Sequence, residues 1–371
     1  MNIPKYSRAA VVREFKKPLE IENVQIPETI EPEALLVKIK KSSICGTDIH
    51  LWQGNLNLDI HLPVILGHEM VGEIVAIGEN ADRDSVGQPL ALGDRVIWAH
   101  ADCGSCHYCT VEKMPTLCTN RRQYMYETME EHPYLMGGFS EYGYVLPKSG
   151  RVKVPDSVSD SLASLCSCAF RSVMHAIRQL GEVKHTDNVV VQGTGPLGLL
   201  AISVLKVAGA AKIIAIGAPE NRLAIAKEMG ADEIISIDEV KDVNERIKQV
   251  LELTDGLGPD IVLEFSGFPG AVAEGLQFIK KNGKYLIVGQ LSDGETTIQP
   301  SLITKKNIQI IGSYSGDISD YHLALKFVEM HQDRFPFHKL ITNEYSLDEI
   351  NEALTNMKNL KEIKPIINIG G

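Results

Sequence analysis

The sequence predicts an α/β fold in which a doubly wound parallel-sheet domain is inserted between two parts of a β-rich domain. The chain has 371 residues, which is long for one hydrophobic core and sufficient for two. Residues 1 to about 155 read as short strands and turns, whereas strands alternate with helical stretches from about residue 170. We expect the β-rich domain over residues 1–168, the inserted domain over 169–312 and a return to the first domain over 313–371.

Each element follows from a local pattern of apolar and turn residues. In the first part, strands are predicted for RAAVVREF, EALLVKIKKS, VGEIVAIG, DRVIWA and YGYVLP, which Gly, Pro and Asp separate. In the inserted domain, the strands NVVVQG, KIIAIG, EIISI, DIVLEFSG and KYLIVG alternate with helices such as PLGLLAISVLKVAG, RLAIAKEMG and AVAEGLQFIKKNG. Such alternation is typical of βαβ units around a buried parallel sheet. After IQIIGS, two helices (about 321–331 and 347–360) and the strand KPIINI complete the chain.

Composition and charge exclude several classes of protein. Apolar residues make up 44% of the chain and charged residues 23%, and no apolar run approaches the roughly 18 to 20 residues that cross a bilayer. The start, MNIPKYSRAAVVREF, lacks a basic segment followed by an apolar one, so a cytoplasmic location is expected. The net charge of −11 argues against nucleic-acid binding, which needs clustered Lys and Arg. In a reducing compartment, the seven cysteines favour metal ligands or buried thiols over disulfides.

A glycine-rich turn follows the predicted strand NVVVQ and begins a helix. The run GTGPLG has the GxGxxG spacing, which is a weak signal alone and a specific one between a strand and a helix. The glycines permit a tight turn and close backbone approach, and the helix N-terminus offers free N–H groups to a pyrophosphate. The predicted dinucleotide-binding residues of this turn are Gly193, Gly195, Pro196, Leu197 and Gly198.

The end of the next strand, KIIAIG, bears on the choice of coenzyme. An acidic residue at this position would bind the adenosine ribose and disfavour a 2′-phosphate, but the chain has Gly217. The turn that follows supplies no cation before Arg222, and Glu220 is a candidate to replace the missing acid. We therefore predict that either NAD or NADP binds, with a modest preference for NAD.

Three cysteine- and histidine-containing stretches lie in the β-rich part: CGTDIH (residues 45–50), GHEMVG (residues 67–72) and CGSCHYC (residues 103–109). Together with the domain order, they strongly resemble the zinc-containing medium-chain dehydrogenase/reductases, the family of zinc alcohol, sorbitol and threonine dehydrogenases. The resemblance runs nearly the full length of the chain. It implies a GroES-like catalytic domain interrupted by a Rossmann domain, with alcohol and coenzyme in the cleft between them.

The resemblance implies a catalytic zinc ion with three protein ligands and one open position, for which Cys, His and Cys form a known set. Cys45 and His68 match the first two ligands. The third belongs to a C-x-x-x-x-V-x-x-A pattern at the start of a helix, which Cys168 fits and Cys166 does not. Cys166 is expected to be a buried thiol. Sorbitol dehydrogenase-like relatives carry glutamate at the third position, so the cysteine resembles the alcohol dehydrogenase branch.

Neighbours of these ligands acquire roles through the same resemblance. Asp48 matches the carboxylate that accepts the ring N–H of the ligand histidine, and a turn aspartate is its alternative. Glu69 matches a residue that can enter the zinc coordination sphere during ligand exchange, and a solvated or salt-bridged carboxylate is its alternative. Thr47 and His50 match a relay that carries the alcohol proton to the surface, although His50 is also consistent with an exposed histidine without that role. Trp52 either shapes the substrate pocket or packs at an interface.

The cysteine-rich run has the spacing of the family's structural zinc lobe, in which four thiolates close a tetrahedral site. The last two cysteines are one residue further apart than in the usual family pattern, an insertion that a loop tolerates. His100 and His107 are expected to be exposed loop residues, because four cysteines already satisfy zinc. A zinc ribbon that binds nucleic acid is the competing interpretation, but its usual basic face is missing. The predicted ligands are Cys103, Cys106, Cys109 and Cys118.

The predicted activity is the reversible oxidation of a small-molecule alcohol to an aldehyde or ketone. The catalytic zinc acts as a Lewis acid on the substrate oxygen, and hydride passes from the carbinol carbon to the nicotinamide ring. Two alternatives stay open: a dehydrogenase or reductase of the same superfamily for polyol, amino-alcohol or cyclic substrates, and a non-catalytic binding protein on this fold. The resemblance and the apolar strand KYLIVG near the end of the inserted sheet predict a homodimer or homotetramer.

Overall fold

The structure, a computed structural model, describes residues 3–56, 58, 60–290 and 294–370. These residues form two units. The first contains the described residues of Met1–Arg171, Ser315–Gln332 and Leu340–Gly371, and the second contains those of Ser172–Tyr314 and Asp333–Lys339. The second unit therefore starts and ends slightly later than the predicted 169–312 and also takes in a short segment of the last part of the chain.

The regular elements in the first part of the chain are mostly strands, as predicted. The strands Glu20–Gln25, Val64–Ile65 and Ser149–Lys153 were not predicted, and the first shows why: its sequence EIENVQ buries only one residue fully, so it lacks a clear apolar pattern. The elements in order are β1 (Tyr6–Val12), β2 (Glu20–Gln25), β3 (Leu35–Ser43), α1 (Gly46–Trp52), β4 (Val64–Ile65), β5 (Glu69–Ile77), β6 (Arg95–Ala101), α2 (His107–Thr110), a 3₁₀ turn (Pro115–Leu117), β7 (Tyr142–Val145), β8 (Ser149–Lys153), α3 (Asp160–Leu165) and a π-helical turn (Cys166–Phe170).

The middle of the chain alternates strands and helices, as predicted. The strands Asn188–Gln192, Lys212–Gly217 and Ile261–Glu264 are rich in Ile and Val and almost wholly buried, which is the pattern of a parallel sheet covered on both faces. The elements are α4 (Arg171–Leu180), β9 (Asn188–Gln192), α5 (Pro196–Ala208), β10 (Lys212–Gly217), α6 (Glu220–Glu228), β11 (Glu233–Ser236), α7 (Val243–Leu253), β12 (Ile261–Glu264), α8 (Pro269–Phe278), β13 (Lys284–Ile287), α9 (Pro300–Lys306) and β14 (Gln309–Gly312).

These strands form one six-stranded parallel sheet in the order β11-β10-β9-β12-β13-β14. In chain order this is 3-2-1-4-5-6, the arrangement of a Rossmann sheet, and the predicted doubly wound domain is confirmed. The strand order reverses between β9 and β12, so their carboxyl ends form the switch point at which such sheets bind ligands. The strand KYLIVG is β13, which pairs with β14, and β14 is one edge of the sheet.

The last part of the chain returns to the first unit and completes its sheet. The strand Ile341–Ser346 was not predicted, because its sequence ITNEYS is mostly polar and partly exposed. Among the described residues, no helix combines the length and the apolar character that crossing a membrane requires. The elements are α10 (Ile318–His331), a 3₁₀ turn (Phe337–Leu340), β15 (Ile341–Ser346), a second 3₁₀ turn (Leu347–Glu349), α11 (Ile350–Lys358) and β16 (Lys364–Asn368).

The seven-stranded sheet of the first unit has the order β15-β16-β3-β5-β6-β8, and β7 also pairs with β3. The central strand β3 buries its apolar residues Leu35, Leu36, Val37 and Ile39 completely or nearly so. Its last residue, Ser43, lies opposite Ile366 of β16 on one side and Glu69 of β5 on the other. This order brings the C-terminal strand close to the start of β5, where the candidate metal ligands lie.

Candidate active site and metal centres

Cys45 lies at the N-terminus of α1, in the loop that leaves β3. Its backbone is extended, with φ of −102° and ψ of 158°, as is usual for a residue that caps a helix. The buried carboxylate of Asp48 accepts the backbone N–H of Cys45 at 2.7 Å and that of Gly67 at 2.9 Å. One side chain therefore holds together the two segments that carry Cys45 and His68.

His68 lies between Gly67 and β5. Gly67 has φ of +89°, and a Cβ at this position would lie 2.8 Å from the ring of Phe139, so only glycine fits. The Nδ1 atom of His68 lies 2.9 Å from Met125 Sδ and 3.7 Å from Asp48 Oδ1. The separation of 3.7 Å is longer than a hydrogen bond, and the hydrogen bond expected from the ring to Asp48 stays a prediction. Asp48 also acts on this segment through backbone amides.

Cys168 lies in the π-helical turn between α3 and α4, a local widening that is common at functional sites. Cys166, in the same turn, is fully buried as predicted, and burial raises the pKa of its thiol. The pKa of the Cys168 thiol is well below its ordinary value, chiefly because the Cys45 thiol hydrogen-bonds to it, and the guanidinium of Arg171 lowers it further. The pKa values of the two cysteines in this turn are thus shifted in opposite directions, and Cys168 is the one suited to bind a metal as a thiolate.

Arg171 is a buried residue of this region that sequence reasoning missed. Its Nη2 lies 3.6 Å from Cys168 Sγ, and its Nη1 donates to the carbonyl of Gly316 at 3.1 Å and to the hydroxyl of Ser315. The guanidinium also lies 5.3 Å from the ring centre of Tyr321. The position directly after the ligand turn was visible in the sequence, but the partners come from α10 and the loop before it, more than 140 residues away.

The ligand atoms of Cys45, His68, Glu69 and Cys168 all lie within 4.8 Å of one another. Thiolate, imidazole and carboxylate groups at such separations are the donors that bind zinc. If the cysteines and the histidine are the ligands, a fourth position remains for a substrate oxygen or for the carboxylate. The residues present therefore fit a catalytic zinc ion.

Glu69 is fully buried beside the predicted ligands and forms an ion pair with Lys364 of β16. The Lys364 ammonium donates to Oε1 at 2.6 Å, and the hydroxyl of Ser43 donates to Oε2. Burial raises the pKa of Glu69 to about 7, even though the ammonium acts to lower it. The structure therefore gives Glu69 the salt bridge that was its alternative role and also places its carboxylate within the ligand cluster. Lys364 was missed, since 295 residues separate the pair.

We expect Lys364→Met to destabilise the protein by about 3 kcal/mol at pH 8, because it leaves a buried carboxyl without its cation. The pKa of Glu69 is about 7 in the folded chain against 4.5 for a free side chain. Loss of the ammonium, which acts to lower this pKa, would raise it further. A carboxyl whose folded pKa is raised destabilises the fold increasingly between its unfolded and its folded pKa, so the cost in the variant keeps growing where that of the wild type has levelled off. The deficit should therefore be smaller at pH 6, as urea titrations of the zinc-loaded protein at both pH values would measure. The double variant Glu69→Gln/Lys364→Met should recover most of the loss, and a loss that it leaves unchanged would contradict this account.

The four cysteines of the predicted lobe lie together at one end of α2. Their Sγ atoms are all within 4.8 Å of one another, and those of Cys106 and Cys109 are 3.5 Å apart. A tetrahedral zinc with bonds of about 2.3 Å places its sulfur ligands about 3.8 Å apart. Backbone N–H groups point at the sulfurs, and that of Ser105 chiefly lowers the pKa of Cys103 to about 5. The extra residue before Cys118 is accommodated in the loop and does not separate the cluster.

Three other predictions can be checked against the structure. His107 is exposed as predicted, but His100 is not a loop residue: it lies on β6, is 8% exposed and accepts the backbone N–H of Tyr124 at its Nδ1. The prediction failed because β6 continues further toward the cysteine lobe than its apolar run suggests. Trp52 donates its indole N–H to the carbonyl of Lys17 and packs in an apolar cluster of the first unit.

Thr47 and His50 occupy successive turns of α1. Thr47 is half-buried, with its hydroxyl 3.6 Å from Cys45 Sγ, and His50 is exposed. Residues three apart in a helix lie on the same face. The two side chains are thus arranged along one face that runs from the ligand cluster to the surface.

The glycine-rich turn connects β9 to α5 as predicted. Gly193 has φ of +103°, and a Cβ there would lie 2.7 Å from the backbone of the loop after β12, while a Cβ at Gly198 would lie 1.9 Å from the carbonyl of Gly193. At Gly195, by contrast, the described atoms leave the Cβ position open to at least 4 Å. Gly195 caps α5, which begins with Pro196 and Leu197. The backbone is therefore accessible at the helix N-terminus, and the turn fits a dinucleotide pyrophosphate.

The residues predicted to bear on the coenzyme ribose follow β10. Gly217 is the buried last residue of this strand, and Glu220 is the exposed first residue of α6. Arg222 is only 9% exposed, and burial lowers the pKa of its guanidinium. It is a side chain packed into the domain, not a surface cation.

Comparisons with known proteins agree with this arrangement. Residues 31–156 match the family described as the alcohol dehydrogenase GroES-like domain, and residues 196–330 match the family described as zinc-binding dehydrogenase. The chain is similar to 5-exo-hydroxycamphor dehydrogenase of Pseudomonas putida, with 32% identity over 98% of both chains. It is also similar to sorbitol dehydrogenase of Halalkalibacterium halodurans, with 33% identity over 89% of this chain and 90% of the relative.

A solved structure shows the same fold along the whole chain. The crystal structure of an alcohol dehydrogenase from Thermotoga maritima superposes with a TM-score of 0.92 at 30% identity, covering 98% of this chain and 99% of the other. The predicted combination of a GroES-like domain and a Rossmann domain is confirmed. The chain therefore belongs to the zinc-dependent medium-chain dehydrogenase/reductases, as an oxidoreductase that acts on CH–OH groups.

Proposed function

We propose that the protein reversibly oxidises a secondary alcohol on a ring or a polyol chain, with one catalytic and one structural zinc ion and a nicotinamide coenzyme. The observation that carries this proposal is the meeting of Cys45, His68 and Cys168 with Glu69 inside 4.8 Å. The substrate class draws on the relatives named for hydroxycamphor and sorbitol. The binding-protein alternative has no support, because all of the predicted ligands are present and clustered.

The protein's own groups prepare the site for this chemistry. A zinc ion bound by Cys45, His68 and Cys168 would supply Lewis acidity toward the substrate oxygen, and a bound nicotinamide would accept hydride. Asp48 positions two of the ligand segments through backbone amides. The ammonium of Lys364 holds the carboxylate of Glu69 in place. This ion pair limits how far the Glu69 carboxylate can move toward the fourth ligand position. The full burial of Glu69 and the 8% exposure of His68 keep water away from this part of the site.

Proton release would follow α1. The Thr47 hydroxyl, next to Cys45, would take up the alcohol proton while it releases its own toward His50, and the exposed His50 imidazole would pass a proton to solvent. An imidazole suits this task because it both gains and loses a proton near neutral pH.

His50→Gln should reduce alcohol oxidation several-fold below neutral pH and leave the reaction nearly unchanged at high pH, where hydroxide removes the proton directly. Small amine buffers should restore part of the lost rate. The measurement is the pH dependence of kcat with and without such buffers, and His185→Gln, another exposed histidine, is the matched control. A pH profile that is the same for His50→Gln and the control would leave His50 without a role in proton transfer.

The alcohol and the coenzyme can be identified by one assay. Cyclic secondary alcohols, polyols, amino alcohols and primary alcohols would be compared by the absorbance of the reduced coenzyme, each with NAD and with NADP. We expect the highest kcat/KM for a cyclic alcohol or polyol and a modest preference for NAD, since Glu220 is the carboxylate closest in sequence to the ribose position. A preference for NADP beyond about a hundredfold, which corresponds to about 2.7 kcal/mol, would overturn the coenzyme assignment.

We also propose a cytoplasmic homodimer or homotetramer. A reducing compartment keeps the four lobe thiols available for zinc. The edge strand β14 offers unpaired backbone groups, and its Ile310 is 41% exposed, so strand pairing between two copies would cover an apolar side chain. Light scattering of the protein and of Ile310→Lys would test this, with a smaller mass expected for the variant.

A further inference from the structure

Gly217, at the end of β10, is packed directly against the side chain of Thr194. A Cβ at position 217 would lie 2.3 Å from Thr194 Oγ1, 2.7 Å from its Cγ2 and 3.0 Å from its Cβ. Gly217 is not among the glycines with a left-handed backbone. Glycine is therefore required at this position for space and not for backbone conformation.

Thr194 cannot easily move out of this space. It is the second residue of the glycine-rich turn, is 2% exposed, and donates its hydroxyl to the carbonyl of Ala218 at 3.2 Å. The turn itself is tied to β10, because the Gly193 N–H donates to the carbonyl of Ile216 at 2.8 Å. A β-branched side chain also has few alternative rotamers. The methyl and hydroxyl groups of Thr194 thus fill the space that the Cβ atom of any larger residue at 217 would need.

This contact matters because the end of the second strand is where Rossmann domains place the acid that binds the adenosine ribose and repels a 2′-phosphate. We infer that Thr194 is a specificity-determining residue: by occupying the space at Gly217, it keeps a carboxylate out of the ribose site and leaves the protein able to bind both NAD and NADP. The inference rests on the proposed binding of a nicotinamide coenzyme at the glycine-rich turn. It explains the missing acid by the contact between Gly217 and Thr194. An acid at 217 therefore requires a smaller residue at 194.

The contact between Thr194 and Gly217 can be tested by variants that differ in the space that residue 194 leaves for a side chain at 217. Gly217→Asp is made alone, with Thr194→Ser, which keeps the hydroxyl and removes the methyl group, and with Thr194→Ala, which removes both. Affinities are measured without turnover, by titrating NAD, NADP, AMP and adenosine 2′,5′-bisphosphate in a calorimeter, and Tm is recorded for every variant.

In the Thr194→Ala/Gly217→Asp protein, we expect the affinity ratio of NAD to NADP to rise about thirty-fold over the wild type, with the same trend for AMP against the bisphosphate, because the new carboxylate lies near the phosphate. Gly217→Asp alone, and with Thr194→Ser, should lower Tm and weaken both coenzymes together. Full NAD selectivity and an unchanged Tm in Gly217→Asp alone would overturn the steric coupling. An unchanged ratio in a well-folded Thr194→Ala/Gly217→Asp protein would overturn the role in specificity.

The outcome for the wild type separates this inference from the proposed function. If the folded wild type binds neither dinucleotide, the proposed function fails and the specificity role falls with it. If it binds both coenzymes but the variants behave additively in Tm and in affinity, the proposed function stands and the inference alone is wrong.

Discussion

Cys168→Ser is expected to remove one of two zinc equivalents and to lower kcat/KM by about a thousand-fold or more while the protein stays folded. Serine offers a hydroxyl in place of a thiolate and binds zinc weakly. Losing Lewis-acid stabilisation worth about 4 kcal/mol corresponds to about that factor. Metal analysis, steady-state kinetics and circular dichroism would measure the three parts of this result.

Cys166→Ala is the matched control for this variant, because it changes a thiol two residues away in the same π-helical turn. It should retain two zinc equivalents and most of the activity, with a modest loss of stability from the small cavity. Full activity in Cys168→Ser, or equal metal loss in both variants, would show that the ligand has been assigned to the wrong cysteine.

Cys106→Ser is expected to remove the other zinc equivalent and to lower Tm by about 10 °C. A zinc ion held by the four thiolates would close the cysteine lobe, and its binding free energy would contribute to folding, so a loss of about 3 kcal/mol is a conservative expectation for a domain of this size. Differential scanning fluorimetry with and without a chelator would measure the effect. The kcat of the folded variant should stay within about threefold of the wild type, since no residue of the lobe is among the catalytic ligands.

Val111→Ala provides the control on the same lobe, because Val111 is 65% exposed and directly follows α2. It should change neither the zinc content nor Tm appreciably. Abolished turnover in a Cys106→Ser protein that still carries its catalytic zinc would contradict the structural role of this site.

Local patterns in the sequence were sufficient to predict most of the fold. The alternating apolar segments after residue 170 correspond to strands and helices of a six-stranded parallel sheet, because a buried parallel strand must be apolar on both faces. The weakly patterned strands β2 and β15 were missed, since each is partly exposed and takes its pairing from a neighbouring strand. The prediction that His100 is exposed was wrong for a similar reason. Its burial depends on packing against Tyr124 and not on its own neighbours in sequence.

The sequence by itself determined the cysteine lobe and the glycine-rich turn. In these motifs the spacing along the chain nearly sets the spacing in space, as in the lobe of Cys103 to Cys118 and the turn from Gly193 to Gly198. Only the tertiary structure decided how Cys45, His68 and Cys168 meet and which groups surround the candidate sites. The pairing of Glu69 with Lys364, the approach of Arg171 to Cys168 and the exclusion of a side chain at Gly217 by Thr194 each depend on which strands and turns become neighbours. Such contacts arise from the packing of the whole domain, so no local pattern of residues encodes them.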